Sequence, residues 1–276
     1  MIKRGIFGAL YVAIIVAGIF CGPFSFLVLL LLLSTFAVNE FLVMVSPPAE
    51  SMTEATIGML QRSLDCIGAA VLIVTIWTDM LFIPGVITYI AYLILRLTAQ
   101  LWIHDQDAVR ALSASFMSQI YVALPIALMN VIYHITPGLL LLLFILVWVN
   151  DTFAYLVGCN FGKHRLWERI SPKKSWEGFW GGLIATVAAA CICGVFFSRY
   201  FGGYGIAALG AIGLIVSLAG TLGDLIESLL KRTVGVKDSG TLIPGHGGIL
   251  DRIDSILLVI PAVLVAIFFM TYYNAI

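Results

Sequence analysis

Four acids late in the chain stand among four bases: Asp224, Glu227, Asp251 and Asp254 are interleaved with Lys231, Arg232, Lys237 and Arg252. Asp224, Glu227, Ser228 and Lys231 fall at i, i+3, i+4 and i+7, so a helix would carry them on one face. Glu227 and Lys231 alone would suit an ordinary i,i+4 salt bridge on a solvated helix end. Asp224 fits that less well, because it lies one turn deeper, after Leu214-Ile215-Val216-Ser217-Leu218-Ala219-Gly220. Asp251 and Asp254 open a later apolar run, where acids also complement a helix dipole. Between the two pairs comes Pro244-Gly245-His246-Gly247-Gly248. Glycines let backbone N–H groups approach an anion just ahead of a helix N-terminus. Beside so many bases, this turn reads as a phosphate site, with His246 either a turn residue or a phosphate or ribose contact. Four acids gather only in the company of cations, and hard oxygen donors suit Mg²⁺ held together with substrate phosphates. The chemistry this predicts is metal-dependent phosphoryl or nucleotidyl transfer, with Lys and Arg clamping the remaining oxygens.

A second polar cluster precedes the first. It contains Asn150-Asp151, then Ser171-Pro172-Lys173-Lys174-Ser175-Trp176-Glu177-Gly178. Asp151 follows Val147-Trp148-Val149, and a charge at membrane depth is costly enough that it ordinarily faces a bundle interior. It reads as a functional acid, as a hydrogen-bonded structural one, or as a residue near the membrane interface. Nothing resembles a Walker loop, a Ser-His-Asp set or a zinc motif. Cys21, Cys66, Cys159, Cys191 and Cys193 lack metal-type spacing and read as buried apolar residues.

The elements that must position these residues are membrane helices. Of 276 residues, 61% are hydrophobic and 11% charged, and the mean hydropathy is +1.07. A soluble core cannot absorb that much apolar surface, whereas lipid solvates the outside of each helix. Charge-poor runs predict an all-α polytopic integral membrane protein of about nine transmembrane helices. They cover roughly 5–21, 24–45, 63–79, 80–97, 115–133, 137–159, 177–198, 204–230 and 252–274, since a span needs about 20 residues. The segments 47–62 and 98–114 are mixed polar and apolar and read as cytoplasmic interfacial pieces. With the N-terminus in the cytoplasm, fourteen of the fifteen Lys and Arg fall on the cytoplasmic side and only Arg199 falls outside. The same arrangement brings both polar clusters to one membrane face. Residues 1–114 read as N-terminal helices with interfacial segments, and 115–276 as the catalytic region. Basic residues at Lys3 and Arg4 precede the first apolar run without a convincing cleavage site, so that run reads as a retained helix.

The stretch from Ser228 to Asp254 resembles the signature of the phosphatidate cytidylyltransferase (CDP-diacylglycerol synthase) family. Ser228 to Arg232 matches its Ser-x-apolar-Lys-Arg opening, and Lys237-Asp238 follows four residues later. Pro244 to Asp254 matches its Pro-x-His-Gly-Gly-apolar-x-Asp-Arg-apolar-Asp close. Ser171 to Gly178 and Asn150 to Gly158 are similar to that family as well, with Ser175 where Thr is frequent. The motifs cover the second half of the chain, and the first 140 residues agree only in being helical and apolar.

The resemblance implies transfer of CMP from CTP to phosphatidic acid, giving CDP-diacylglycerol and pyrophosphate in phospholipid biosynthesis. It also implies a metal requirement met by Mg²⁺, with a second cation conceivable, and a homodimer in the cell inner (plasma) membrane with its active site facing the cytoplasm. No nucleic-acid partner is expected. The family's metal acids map onto Asp224 and Asp251, to which Asp254 and Glu227 are added. Asp224, Asp251, Lys231 and Lys237 are the expected catalytic residues. Asp151, Ser171, Lys173, Lys174, Ser228, Arg232, Asp238, His246, Gly247, Gly248 and Arg252 are expected to bind substrate. The competing readings are a CTP-dependent polyprenol or phytol kinase, a CDP-alcohol phosphotransferase, and a transporter relaying ions through Asp65, Asp79 and Asp151. The unbroken signature disfavours the first, a missing Asp-Gly-rich pattern the second, and the one-sided concentration of polar residues the third.

Overall fold

The computed structural model describes residues 2–46, 48–78, 82–103, 107–242 and 247–272. Among the described residues the fold is all-α apart from one small hairpin. The helices are α1 Ile2–Phe20, α2 Pro23–Val45, α3 Met52–Trp77, α4 Phe82–Ala99, α5 Ala108–Met117, α6 Leu124–Ile135, α7 Pro137–Phe161, α8 Trp176–Phe196, α9 Ile206–Thr233 and α10 Leu250–Tyr272. A π-helical turn, Ser118–Ala123, joins α5 to α6 into one continuous rod. Among the described residues, 7 helices are long and apolar enough to cross a membrane, and Phe7–Phe20 and Pro84–Ala99 are shorter apolar helices. Each of the nine predicted apolar runs therefore has its helix. Large apolar side chains such as Phe24, Ile87, Ile184 and Phe268 stand exposed, which water would penalise and hydrocarbon solvates.

Two helices, α3 and α5, begin at Met52 and Ala108, earlier than the hydropathy pattern predicts, so 52–62 and 108–114 are the opening turns of those helices. Local capping is the reason. Ser51 caps α3 by accepting from Glu54 N at 3.2 Å, and the Glu54 carboxylate accepts in turn from Glu50 N at 2.8 Å. Asp107 caps α5 by accepting from Arg110 N at 2.9 Å. Once capped, each helix runs without a break into the apolar stretch that follows. The cysteines also differ from expectation: Cys21 and Cys159 are exposed and the other three half-buried. Lipid accepts a thiol on a helix surface as readily as a core does.

The chain forms two compact units. One comprises Met1–Val131 with Asp238–Arg252, the other Ile132–Lys237 with Ile253–Ile276. In the first, α2 supplies much of the buried surface through Phe26, Leu30, Ala37 and Phe41. Its polar centre is Asp65 on α3. Asp65 Oδ1 accepts from Tyr92 Oη at 3.1 Å, Arg96 Nε at 3.0 Å and Ser115 Oγ at 2.5 Å. Arg96 also donates to Gln100 Oε1 at 3.0 Å, and Gln119 in the π turn donates to the Asp65 carbonyl at 2.9 Å. Three helical segments are thus tied through one carboxylate that is 1% exposed. In the second unit, α7, α8 and α9 lie against one another in chain order, with Leu140, Leu143, Ile212 and Val216 fully buried.

Asp79 and His104 lie outside the described residues. The buried pair generates a stability prediction. Asp65→Ala leaves the Arg96 charge without its carboxylate and is expected to cost about 3 kcal/mol or more. Asp65→Ala combined with Arg96→Leu should recover part of that loss. Thermal unfolding in detergent checks both, and equal midpoints for Asp65→Ala and the parent would refute the role.

Candidate active site

The site is built first from α9. Its last two turns carry two i,i+4 contacts on one face: Ser228 Oγ donates to Asp224 Oδ1 at 3.2 Å, and Lys231 Nζ meets Glu227 Oε2 at 2.6 Å. The Glu227 side chain is wholly buried, so this pair is not the solvated stripe that its spacing alone also allowed. Gly235, with φ +77°, ends the helix: Gly235 N donates to the Arg232 carbonyl at 3.2 Å and Val236 N to the Lys231 carbonyl at 2.9 Å. The turn leads out to Lys237. Arg232 and Lys237 are exposed, and Arg232 donates to the Val236 carbonyl at 3.1 Å.

Next comes the hairpin between α7 and α8. Strand β1, Arg165–Trp167, pairs antiparallel with β2, Ser171–Ser175. Glu177 in the first turn of α8 clasps its base, accepting from Lys163 N at 3.1 Å and His164 N at 3.2 Å and lying 2.6 Å from His164 Nδ1. Ser175 caps α8 by accepting from Gly178 N at 3.1 Å. Alternation along β2 turns successive side chains to opposite faces. Lys174 is accordingly half-buried and its Nζ lies 2.7 Å from Asp224 Oδ2, whereas Lys173 is exposed. Ser171 is half-buried at the strand start.

The acids of this second unit are brought together. Asp254, on α10, lies within electrostatic reach of Asp224, Glu227 and Asp151. Gly223 makes this approach feasible, since a Cβ there would sit 2.7 Å from the Asp254 carbonyl oxygen and 3.1 Å from Ser255 Cα. Asp151 is exposed and not enclosed as expected. Its neighbour Asn150 takes the inward position, where Asn150 Oδ1 accepts from Ser217 Oγ at 2.7 Å. One residue along a helix is a turn of about 100°, so Asn150 packs inward while Asp151 stands at the exposed edge, still within electrostatic reach of Asp254.

The carboxylates of Asp151, Asp224, Glu227 and Asp254 are hard oxygen donors of the sort Mg²⁺ takes beside phosphates, with Lys174 and Lys231 as cations among them. In chemistry the residues fit that ion. Among the described residues, no three acid, His or Cys side chains converge tightly enough to hold a metal ion by themselves. Substrate oxygens and water ordinarily complete a Mg²⁺ shell.

The rest of the signature belongs to the first unit. Asp251 Oδ2 accepts from Ser239 N at 2.9 Å, Ser239 Oγ at 3.0 Å and Gly248 N at 2.8 Å. Gly247 has φ +80°, and a Cβ there would run into that same oxygen. Asp251 thus organises Ser239, Gly247 and Gly248. Asp238 and Arg252 are exposed, and the Arg252 carbonyl accepts from Tyr11 Oη at 3.2 Å. His246, with Pro244 and Gly245, lies outside the described residues.

Sequence reasoning missed Glu40 on α2, whose carboxylate accepts from Leu250 N at 2.9 Å, at the start of α10. An acid within Phe36 to Val45, an otherwise almost wholly apolar stretch, was the available signal.

Comparison with known proteins gives a consistent picture. A protein of Staphylococcus saprophyticus named phosphatidate cytidylyltransferase is 39% identical over 207 residues, covering 66% of this chain and 78% of the relative. One of the same name from Staphylococcus haemolyticus is 37% identical over 206 residues, with 66% and 78% covered. Another, from Staphylococcus aureus, is 51% identical over 120 residues, or 43% of this chain and 44% of the relative. The profile of the cytidylyltransferase family matches residues 2–270, and the chain belongs to that family.

Proposed function

We propose that this chain is a phosphatidate cytidylyltransferase, transferring CMP from CTP to phosphatidic acid and releasing pyrophosphate. The observation that carries this is the gathering of Asp224, Glu227, Asp254 and Asp151 with Lys174 and Lys231 in one helical unit. Relatives named for the activity and the unbroken signature support it. The concentration of Lys and Arg on one side of the predicted topology supports a cytoplasmic site in the cell membrane, and the product suits phospholipid biosynthesis.

The lipid's phosphate monoester has a second pKa of about 6, so at neutral pH it is largely a dianion and needs no strong base. One of its oxygens would bond to the α-phosphorus of CTP as the bond to the β-phosphate oxygen breaks. The protein's task is to hold two anions in line, through position and preorganised charge. Lys174 and Lys231 stand inside the acid cluster, where they would meet phosphate oxygens. Lys173, Arg232, Lys237 and Arg252 are exposed cations suited to the outer phosphates. Asp224, Glu227 and Asp254 would hold Mg²⁺, and the family resemblance counts Asp251 with them. When bound, Mg²⁺ would offset the charge that builds on the phosphates. Gly247 and Gly248, fixed by Asp251, would present backbone to a phosphate, with Ser171, Ser228, Asp238 and His246 as further substrate contacts. The resemblance also carries a homodimer, which molar mass in detergent would test.

The primary test is a mixed-micelle assay with α-³²P-labelled CTP, phosphatidic acid and Mg²⁺. Label should enter chloroform-soluble lipid only when both the lipid and Mg²⁺ are present, and a chelator should stop it. Transfer of γ-label to a lipid alcohol would instead identify a kinase. Asp224→Asn and Asp254→Asn should each reduce turnover about a hundredfold or more while the protein folds; near-normal rates would remove that residue from the metal role. Gly223→Ala should force the Asp254 backbone away. Since a displacement of about 1 Å can cost about a hundredfold, its rate per folded molecule reports whether the approach matters.

A further inference from the structure

Glu40 sits on α2, 210 residues before Leu250, whose backbone N–H its Oε2 accepts at 2.9 Å. The residue is 8% exposed. Burying a carboxylate is costly unless its surroundings use it. Here they are shaped around it. A Cβ at Gly240 would fall 2.8 Å from Glu40 Oε1, and one at Gly248 would collide with Glu40 Oε2 and approach Ser239 Oγ to 2.5 Å. Glycine at positions 240 and 248 is therefore what the Glu40 carboxylate requires. Ser239 and Gly248 are also the residues that donate to Asp251 Oδ2. Two carboxylates thus meet at Ser239, Gly248 and Leu250: Asp251 from the first turn of α10 and Glu40 from α2.

The geometry points to Glu40 as a positioning residue that fixes Gly248 and the start of α10 in their substrate-binding form. It touches no reacting group. It acts through Leu250 N and through the space it denies to residues 240 and 248. This rests on the reading that the turn binds substrate phosphate, and the test separates the two.

Glu40→Ala, Glu40→Gln, Gly248→Ala and the Glu40→Ala/Gly248→Ala pair are assayed with labelled CTP, each rate normalised to folded protein by size exclusion in detergent. Glu40→Ala should lower kcat/KM for CTP about tenfold per folded molecule, whereas Glu40→Gln, which keeps an acceptor for Leu250 N, should stay within about threefold. Gly248→Ala should be impaired, and the double variant should be no worse than the poorer single, because both disturb one contact. If Glu40→Ala does not fold, Glu40→Asp takes its place, retaining the charge but withdrawing it from Leu250 N. Normal kcat/KM per folded molecule for that variant, or multiplying losses in the double, would overturn the role of Glu40. Full activity of Gly248→Ala would instead overturn the phosphate-binding reading of the turn, and the positioning role with it.

Discussion

Like charges repel, and they repel more where water is scarce. Asp151, Asp224, Glu227 and Asp254 are held in mutual electrostatic reach on three helices of one unit, so much of the surrounding structure serves to make that tolerable. Lys231 lies one turn from Glu227 on the same helix, and Lys174 is delivered to Asp224 by a strand whose base Glu177 clasps. Gly223 has no side chain because the backbone of the next acid passes there. The cluster is costly to assemble, and under the proposed function the cations that accompany substrate phosphates would relieve it.

The first unit solves a related problem in the opposite way. Asp65 and Arg96 are both almost wholly buried and satisfied by Tyr92, Ser115, Gln100 and each other. No excess charge remains to invite a ligand. Intramembrane ionisable residues are often functional, and here the hydrogen-bond pattern distinguishes an internal brace from a site. The π turn at Ser118–Ala123 contributes by aiming Gln119 at the Asp65 carbonyl.

The helices and the acid stripe on α9 were legible in the sequence because hydropathy and i,i+4 spacing are local properties. The caps at Ser51 and Asp107 were also legible, but composition drew the eye to polar segments and not to helix starts. The hairpin over 165–175 was too short and too polar to show an apolar alternation. Asp151 was misplaced by a single helical step, which periodicity cannot resolve near a span end. Gly223 was beyond reach for another reason, and Glu40 showed only as an acid in an apolar run: each acts through a partner distant in the chain, and only tertiary packing says that the partner is there.

The first unit is discontinuous in the chain, being closed by Asp238–Arg252. During synthesis from the N-terminus, α2 must enter the membrane with Glu40 long before Leu250 exists to meet it. All of 132–237 is made in between, so the earlier helices wait, incompletely packed, for the last piece of their own core. A nascent chain of this design completes neither unit until α10 emerges.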